Sequence, residues 1–458
     1  MLSPFTVRLP IFAALFACAA TASPVLSAPG AVVYGPAPAP TDLDITFDVD
    51  VGEPLMIAGQ EQTAYIKITL GGFALPSASK RSPINLALVL DRSSSMAGDK
   101  LEKAKEAALM VIDRLQPDDI ISVVSYDSGV EVLVPATKAN ERDHIRERIS
   151  ALTPRGSTAL FAGVSHGLEE AAKYLDAKRV NRIILLSDGQ ANVGPRSPNE
   201  LGRLGEVAAR QGISITTIGL GLGYNEDLMT QLAMRSDGNH GFAENAVDLA
   251  KLFQHELGDI MSVVAKDVEI EISFEDGITP VRALGREATI NGRKARMSLS
   301  QLYAKQQKHV LFEVKVPPGA AGKKRALADV AVKYANMISK KRGAKRDAVA
   351  VEFSAAPKLV AARQNKKVIE AAVEAIATDE NRRAVALRDQ GKAREAAKVL
   401  RDNARYLEKE AGRLKSIKLQ TYGVKNSYDA ENIAKPNWNQ TRKSMRADQH
   451  KNSSQQAW

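Results

Sequence analysis

The sequence predicts an α/β domain inserted into a β-sandwich and followed by a C-terminal helical hairpin, and three patterns predict it. Residues 81–264 alternate continuous apolar runs with amphipathic stretches, as in a doubly wound, Rossmann-like, mostly parallel sheet covered on both faces. The stretches on either side, 43–80 and 265–355, alternate apolar with polar residues at the period of half-buried strands. From 356 to 425 the composition turns to Ala, Glu, Lys and Arg with apolar residues at helical spacing. The 458 residues exceed what one core usually serves, and 44% hydrophobic with 25% charged residues describes a globular chain.

In chain order, Pro10 to Ala22 comes first, with Ile11, Phe12, Leu15 and Phe16 among alanines behind a segment whose only charge is Arg8. This is a signal-peptide pattern, assigned to residues 1–28, with cleavage after Ala22 or Ala28. It is too short for a stable membrane span, and no later run of about 18 apolar residues follows. The chain is therefore expected in the periplasm or at the cell surface. Leu15-Phe16-Ala17-Cys18 also resembles a bacterial lipobox; in that reading Cys18 is lipidated, and this is the one route to a membrane. Cys18 is the only cysteine, so no intrachain disulfide can form. Residues 29–42, with Pro36-Ala37-Pro38-Ala39-Pro40, supply neither ladder nor helix interior and read as a spacer.

Sandwich strands are expected at Ile45 to Val51, Ala64 to Leu70, Val268 to Phe274, Val310 to Val316, Ala328 to Tyr334 and Val349 to Phe353, two strands alone being unstable. In the insert, strands are expected at Leu86 to Leu90, Ile120 to Tyr126, Val130 to Val134, Ile183 to Leu186, Ile213 to Leu220 and near His240 to Ala243. Asp127-Ser128-Gly129 joins two of them as a hairpin, making one edge strand antiparallel. Helices are expected at Lys100 to Leu115, Leu160 to Leu175, Asn225 to Arg235 and Val247 to Met261. After the hairpin, residues 426–458 are rich in Asn, Gln, Ser and Lys and read as a disordered, solvated tail. The net charge of +10 is spread along the chain, which gives no nucleic-acid patch.

Asp91 ends an apolar run and opens Asp91-Arg92-Ser93-Ser94-Ser95-Met96; Asp188 stands in the same position in Ser187-Asp188-Gly189. Gly156-Ser157-Thr158 adds hydroxyls ahead of another helix. In a parallel sheet these groups share the crevice at the carboxyl ends of the strands. Hydroxyls and carboxylates without His or Cys are hard ligands, suited to Mg²⁺, Mn²⁺ or Ca²⁺ rather than zinc. An ion held by few carboxylates stays net positive and accepts a carboxylate from a partner.

Asp91-x-Ser93-x-Ser95, Thr158 and Asp188 resemble, in identity and order, the metal-ion-dependent adhesion site of von Willebrand factor type A (VWA) domains. The resemblance implies coordination by Ser93, Ser95 and Thr158, with Asp91 and Asp188 acting partly through water. Ser94 stands where the family usually has glycine. Thr217-Ile218-Gly219-Leu220-Gly221, Asn225-Glu226-Asp227-Leu228 and the closing helix with Leu252-Phe253 and Glu256-Leu257 resemble the bacterial branch similar to calcium-activated chloride channel regulators. It covers residues 81–264 and, loosely, the flanking sandwich. It implies an exported, non-enzymatic module that binds a protein partner presenting an Asp or Glu carboxylate; the oligomeric state is left open. It also implies that the closing helix shifts when the site is ligated.

Taken alone, Asp91, Ser93 or Ser95 reads more commonly as a helix N-cap in an α/β loop than as a ligand. A rival from the enzyme class is a serine hydrolase using Ser165 in Gly163-Val164-Ser165-His166-Gly167, but that motif needs a strand-to-helix elbow and this copy falls inside an expected helix. A third class is a scaffold that keeps the fold without binding metal. Tyr224 breaks the dinucleotide fingerprint after Gly219-x-Gly221-x-Gly223, and Asp259 replaces the second histidine of a zinc-protease motif at His255-Glu256. No phosphate-cradling G-x-x-x-x-G-K-[ST] occurs.

Overall fold

A computed structural model describes residues 43–76 and 81–456, the side chain of Ala246 excepted. The expected signal peptide, the lipobox at Cys18 and the 29–42 spacer lie outside the described residues. The chain enters through β1 (Thr46–Val51), β2 (Leu55–Ile57) and β3 (Gln62–Gly71). Then come β4 (Ile84–Asp91), α1 (Asp99–Arg114), β5 (Ile120–Tyr126), β6 (Val130–Lys138), α2 (Arg142–Ser150) and α3 (Leu160–Ala172). Next are β7 (Val180–Ser187), α4 (Pro198–Arg210), β8 (Ile213–Leu220), α5 (Glu226–Arg235), β9 (His240–Ala243) and α6 (Ala246–Met261). A second run of strands follows: β10 (Val263–Phe274), β11 (Thr279–Leu284), β12 (Thr289–Asn291), β13 (Lys294–Tyr303), β14 (Gln307–Val316), β15 (Lys324–Asn336) and β16 (Arg342–Ser354). Helices α7 (Pro357–Ala362), α8 (Lys366–Asp389), α9 (Ala393–Leu414), α10 (Ile417–Asn432) and α11 (Trp438–Ser454) complete it.

The central sheet runs β6-β5-β4-β7-β8-β9, parallel except for the antiparallel β5–β6 hairpin. All eight residues of β4 are buried because helices cover both faces: Leu86, Leu88 and Leu90 pack with α1 and α6, while Ala87 and Val89 pack with α3. Strand alternation thus feeds two cores from one apolar run. Helices α2 and α4 were not expected. The latter carries a legible start signal, a capping box in which Ser197 and Glu200 satisfy each other's backbone.

Segments 43–76 and 263–354 form two further sheets, ordered β1-β3-β14-β11 and β12-β13-β10-β15-β16-β2. They share one apolar core, in which Phe274 of β10 meets Phe312 of β14 edge-on at 5.8 Å. Ser262 alone separates α6 from β10, and Val263, Tyr303 and Met337 of the second module belong to the core under α1 and α6. The two modules are therefore continuous in packing.

The C-terminal region departs from a helical hairpin plus a disordered tail. Helices α8 and α9 do turn back at Gly391, whose φ of 82° suits glycine, but α10 and α11 add two more. Residues 438–454, expected to be solvated, form α11 and dock on α5 and β9. Their basic residues find acids far upstream: Arg442 reaches Glu226, Asp227 and Asp389, and Lys443 reaches Glu226. Lys443 also lies 4.6 Å from the Tyr224 ring centre. Gln456 donates to the His240 carbonyl and accepts from its N–H. Among the described residues, no helix is long and apolar enough to cross a membrane.

Candidate functional site

Adjacent parallel strands β4 and β7 end together, which brings Asp91 and Asp188 to one edge of the sheet. The chain then leaves β4 through a single 3₁₀ turn, Ser94–Met96. Two backbone bonds pin that loop to the one before α3: Ser94 N–H donates to the Gly156 carbonyl (3.0 Å) and Arg155 N–H to the Arg92 carbonyl (2.8 Å). Arg92 turns away from the crevice, paired with Asp127 at 2.8 Å and Glu131 at 2.9 Å.

The predicted side chains gather as follows. One Asp91 oxygen accepts the Ser93 N–H (2.8 Å) and the other accepts the Ser187 hydroxyl (2.7 Å). Ser93 Oγ stands 3.0 Å from Ser95 Oγ, and the Ser95 hydroxyl donates to Asp188 Oδ1 at 2.7 Å. Thr158 is held by its backbone, its N–H donating to Asn192 Oδ1 at 2.7 Å. A Cβ at Gly189 would stand 3.1 Å from Thr158 Oγ1 and 3.5 Å from Ser95 Oγ, so glycine keeps that corner open. All five predicted residues thus come together at one end of the sheet, with Asp91, Ser93, Thr158 and Asp188 buried and Ser95 exposed.

Burial raises the Asp91 pKa; its hydrogen bonds to Ser93 and Ser187 oppose that, and the nearby Asp188 adds to it. Tyr126, wholly buried beside them, is pushed well above its usual value, first by burial and then by the Asp91 charge. Among the described residues no group of three or more His, Cys, Asp or Glu side chains could hold a metal. The side chains gathered here are instead mostly hydroxyl-bearing: Ser93, Ser95, Thr158 and Ser187 beside the two carboxylates.

Sequence reasoning missed Ser187, Asn192 and Lys100. Ser187 adjoins Asp188 and was legible as one more hydroxyl in the same turn. Lys100, at the start of α1, donates to Asp188 Oδ2 and to the Ser95 carbonyl at 3.3 Å; a lysine on an amphipathic helix carries no such signal. Ser165 lies within α3 and donates to the Phe161 carbonyl at 2.8 Å, without a strand-to-helix elbow. The glycines around it serve packing: a Cβ at Gly163 would strike the Tyr126 ring at 2.6 Å, and one at Gly167 would strike Val89 at 2.5 Å.

Residues 85–255 match the model of the von Willebrand factor type A domain. The uncharacterized protein sll0103 of Synechocystis sp. is 35% identical over 175 residues, 38% of this chain and 41% of that protein. Inter-alpha-trypsin inhibitor heavy chain H3 of Homo sapiens is 29% identical over 214 residues, 44% of this chain and 23% of that one. The chain thus spans well under half of these relatives. Among solved structures, a von Willebrand factor type A protein from Catenulispora acidiphila has a TM-score of 0.67 at 17% identity, over 81% of this chain and 87% of that one. The ArnB paralog VWA2 from Sulfolobus acidocaldarius has a TM-score of 0.59 at 19% identity, over 89% and 98%. These likenesses extend beyond the central domain and show the fold.

Proposed function

We propose, from a VWA-fold domain related to those of other bacteria and archaea, that this chain binds a protein partner through a divalent cation at the Asp91–Asp188 crevice. VWA domains are in general non-catalytic adhesion or assembly modules that mediate protein contacts. In this reading Ser93, Ser95 and Thr158 hold Mg²⁺, or Mn²⁺ or Ca²⁺ in its place, with Asp91 and Asp188 partly through water. When bound, the ion supplies a Lewis-acidic position for an Asp or Glu carboxylate of the partner.

The observation that carries this is the chain of oxygens Ser93 Oγ, Ser95 Oγ and Asp188 Oδ1, spaced 3.0 and 2.7 Å. Neighbouring ligands of an octahedral Mg²⁺ with bonds of about 2.1 Å lie about 3 Å apart. The two serine hydroxyls have that spacing, which supports this reading, and Gly189 leaves space beside them. Asp91, tied to Ser93 N–H and Ser187, orients the first hydroxyl. Export to the periplasm or cell surface, with lipidation of Cys18 as its variant, belongs to this proposal and rests on residues 1–28 as sequence.

Calorimetry of Mg²⁺ into the full chain and into Asp91→Ala, Ser93→Ala and Ser95→Ala tests the site. Binding is expected in the parent and lost in the variants, with circular dichroism unchanged; equal affinity in all four overturns the assignment. A pull-down with and without chelator separates a metal-dependent module from a metal-free scaffold. Retention of the same partner in both arms favours the scaffold.

A further inference from the structure

Resting on the metal reading of this crevice, we propose that Lys100 is the site's resident counter-cation: it neutralises Asp188 while no metal is bound, must leave before an ion is held there, and so weakens metal binding.

Three observations support it. The Lys100 ammonium donates to Asp188 Oδ2, the carboxylate that also accepts Ser95 Oγ, and to the Ser95 carbonyl at 3.3 Å. It therefore sits among the proposed ligands rather than on the outer face of α1. The partners are unequally placed: the Asp188 side chain has no exposure, while that of Lys100 is 39% exposed. Lys100 can withdraw into water at small cost, whereas Asp188 cannot follow. The third observation is the opposite wall. A Cβ at Gly221 would stand 3.7 Å from Lys100 Cε and 3.9 Å from Nζ, so the Gly221 backbone flanks the lysine stem across the crevice.

The charge balance gives the pairing its consequence. Asp91 and Asp188 bring two carboxylates into a buried crevice, and the neighbouring cation Arg92 is committed to Asp127 and Glu131. Lys100 offsets one of the two negative charges by direct contact. Its ammonium occupies an Asp188 oxygen and repels a second cation at close range. Removing that charge while keeping the stem tightens metal binding; keeping the charge in another shape does not.

The test is Mg²⁺ calorimetry, with Mn²⁺ paramagnetic resonance as a second readout, on the purified full chain and on Lys100→Met and Lys100→Arg. Lys100→Met is expected to bind about tenfold more tightly than the parent and Lys100→Arg within about threefold, an effect reduced from the buried limit because the lysine is partly exposed. Without metal, Lys100→Met melts below the parent, and saturating Mg²⁺ removes the difference; a purely structural lysine would leave that gap in place. Metal binding by the parent with equal or weaker binding by Lys100→Met overturns this inference and leaves the metal site standing. Binding by Lys100→Met alone supports it. No binding by any of the three overturns the metal reading and this inference together.

Discussion

Arg182 Nη1 stands 3.3 Å from Glu256 Oε1, and neither side chain has any exposure. The pair joins β7, the strand that leads to Asp188, to the closing helix α6. Further bonds of the pair run into both modules. Glu256 accepts from Thr216 Oγ1 at 2.5 Å and Asn239 Nδ2 at 2.8 Å, and Arg182 donates to Gln301 and Tyr303 of β13, both at 2.6 Å. The resemblance implied a closing helix that shifts on ligation. A shift of α6 on ligation would therefore have to carry these bonds to β7 and β13 with it or break them.

Glu256→Ala should strand the Arg182 charge and cost about 3–5 kcal/mol in urea unfolding. A loss below about 1 kcal/mol would show that water or rearrangement satisfies the guanidinium. The same anchor predicts that hydrogen exchange in α6 stays unchanged when Mg²⁺ is added. Faster exchange along that helix on metal addition would show that the helix responds to the ion despite this anchor.

Gly189→Ala tests the open corner. The backbone there lies outside the left-handed region, so alanine adds only a methyl 3.1 Å from Thr158 Oγ1 and 3.5 Å from Ser95 Oγ. Mg²⁺ affinity should fall about tenfold, the cost of displacing one ligand by a fraction of an ångström. The melting temperature should move by less than about 3 °C. Undiminished affinity would mean that the ligands lie elsewhere.

Arg442→Ala tests the docking of α11. It leaves the buried Glu226 carboxylate with Lys443 as its remaining cation, and a loss of about 2–4 kcal/mol is expected. Residues 221–227, which precede and begin α5, should lose exchange protection in the same variant. This loop is close to the site: a Cβ at Gly223 would stand 2.6 Å from the Asp188 carbonyl. Protection of 221–227 identical to the parent would show that the loop is ordered without α11.

Asp429 predicts a pH dependence. It is 3% exposed, its Oδ2 has no hydrogen-bond partner among the described residues, and burial raises its pKa to about 7, opposed by Lys425 and assisted by Asp448. The folded state thus holds a proton that the unfolded state releases near pH 4. The resulting stability is present at pH 4 and lost as pH rises through 7. Asp429→Asn should therefore be more stable than the parent at pH 8 by about 1–3 kcal/mol, and the gap should close toward pH 4. A gap that does not change across this range would refute the assignment.

The sequence by itself determined whatever rests on near neighbours. The apolar run of β4 stops at Asp91 and that of β7 at Ser187, so both carboxylates had to emerge at one end of a parallel sheet. Strict alternation marked β1, β3, β10 and β14, and the Ser197 capping box would have marked α4. Tertiary structure alone decided where charges meet across the chain. Arg442 and Lys443 read locally as a solvated tail because their acids, Glu226 and Asp227, lie more than 200 residues upstream. Lys100 and Asp188 are 88 residues apart, and Arg182 and Glu256 approach only because α6 closes over the sheet. Periodicity records which face of an element is apolar. It cannot record which distant partner a buried charge will find, because that pairing depends on the packed arrangement of several elements at once.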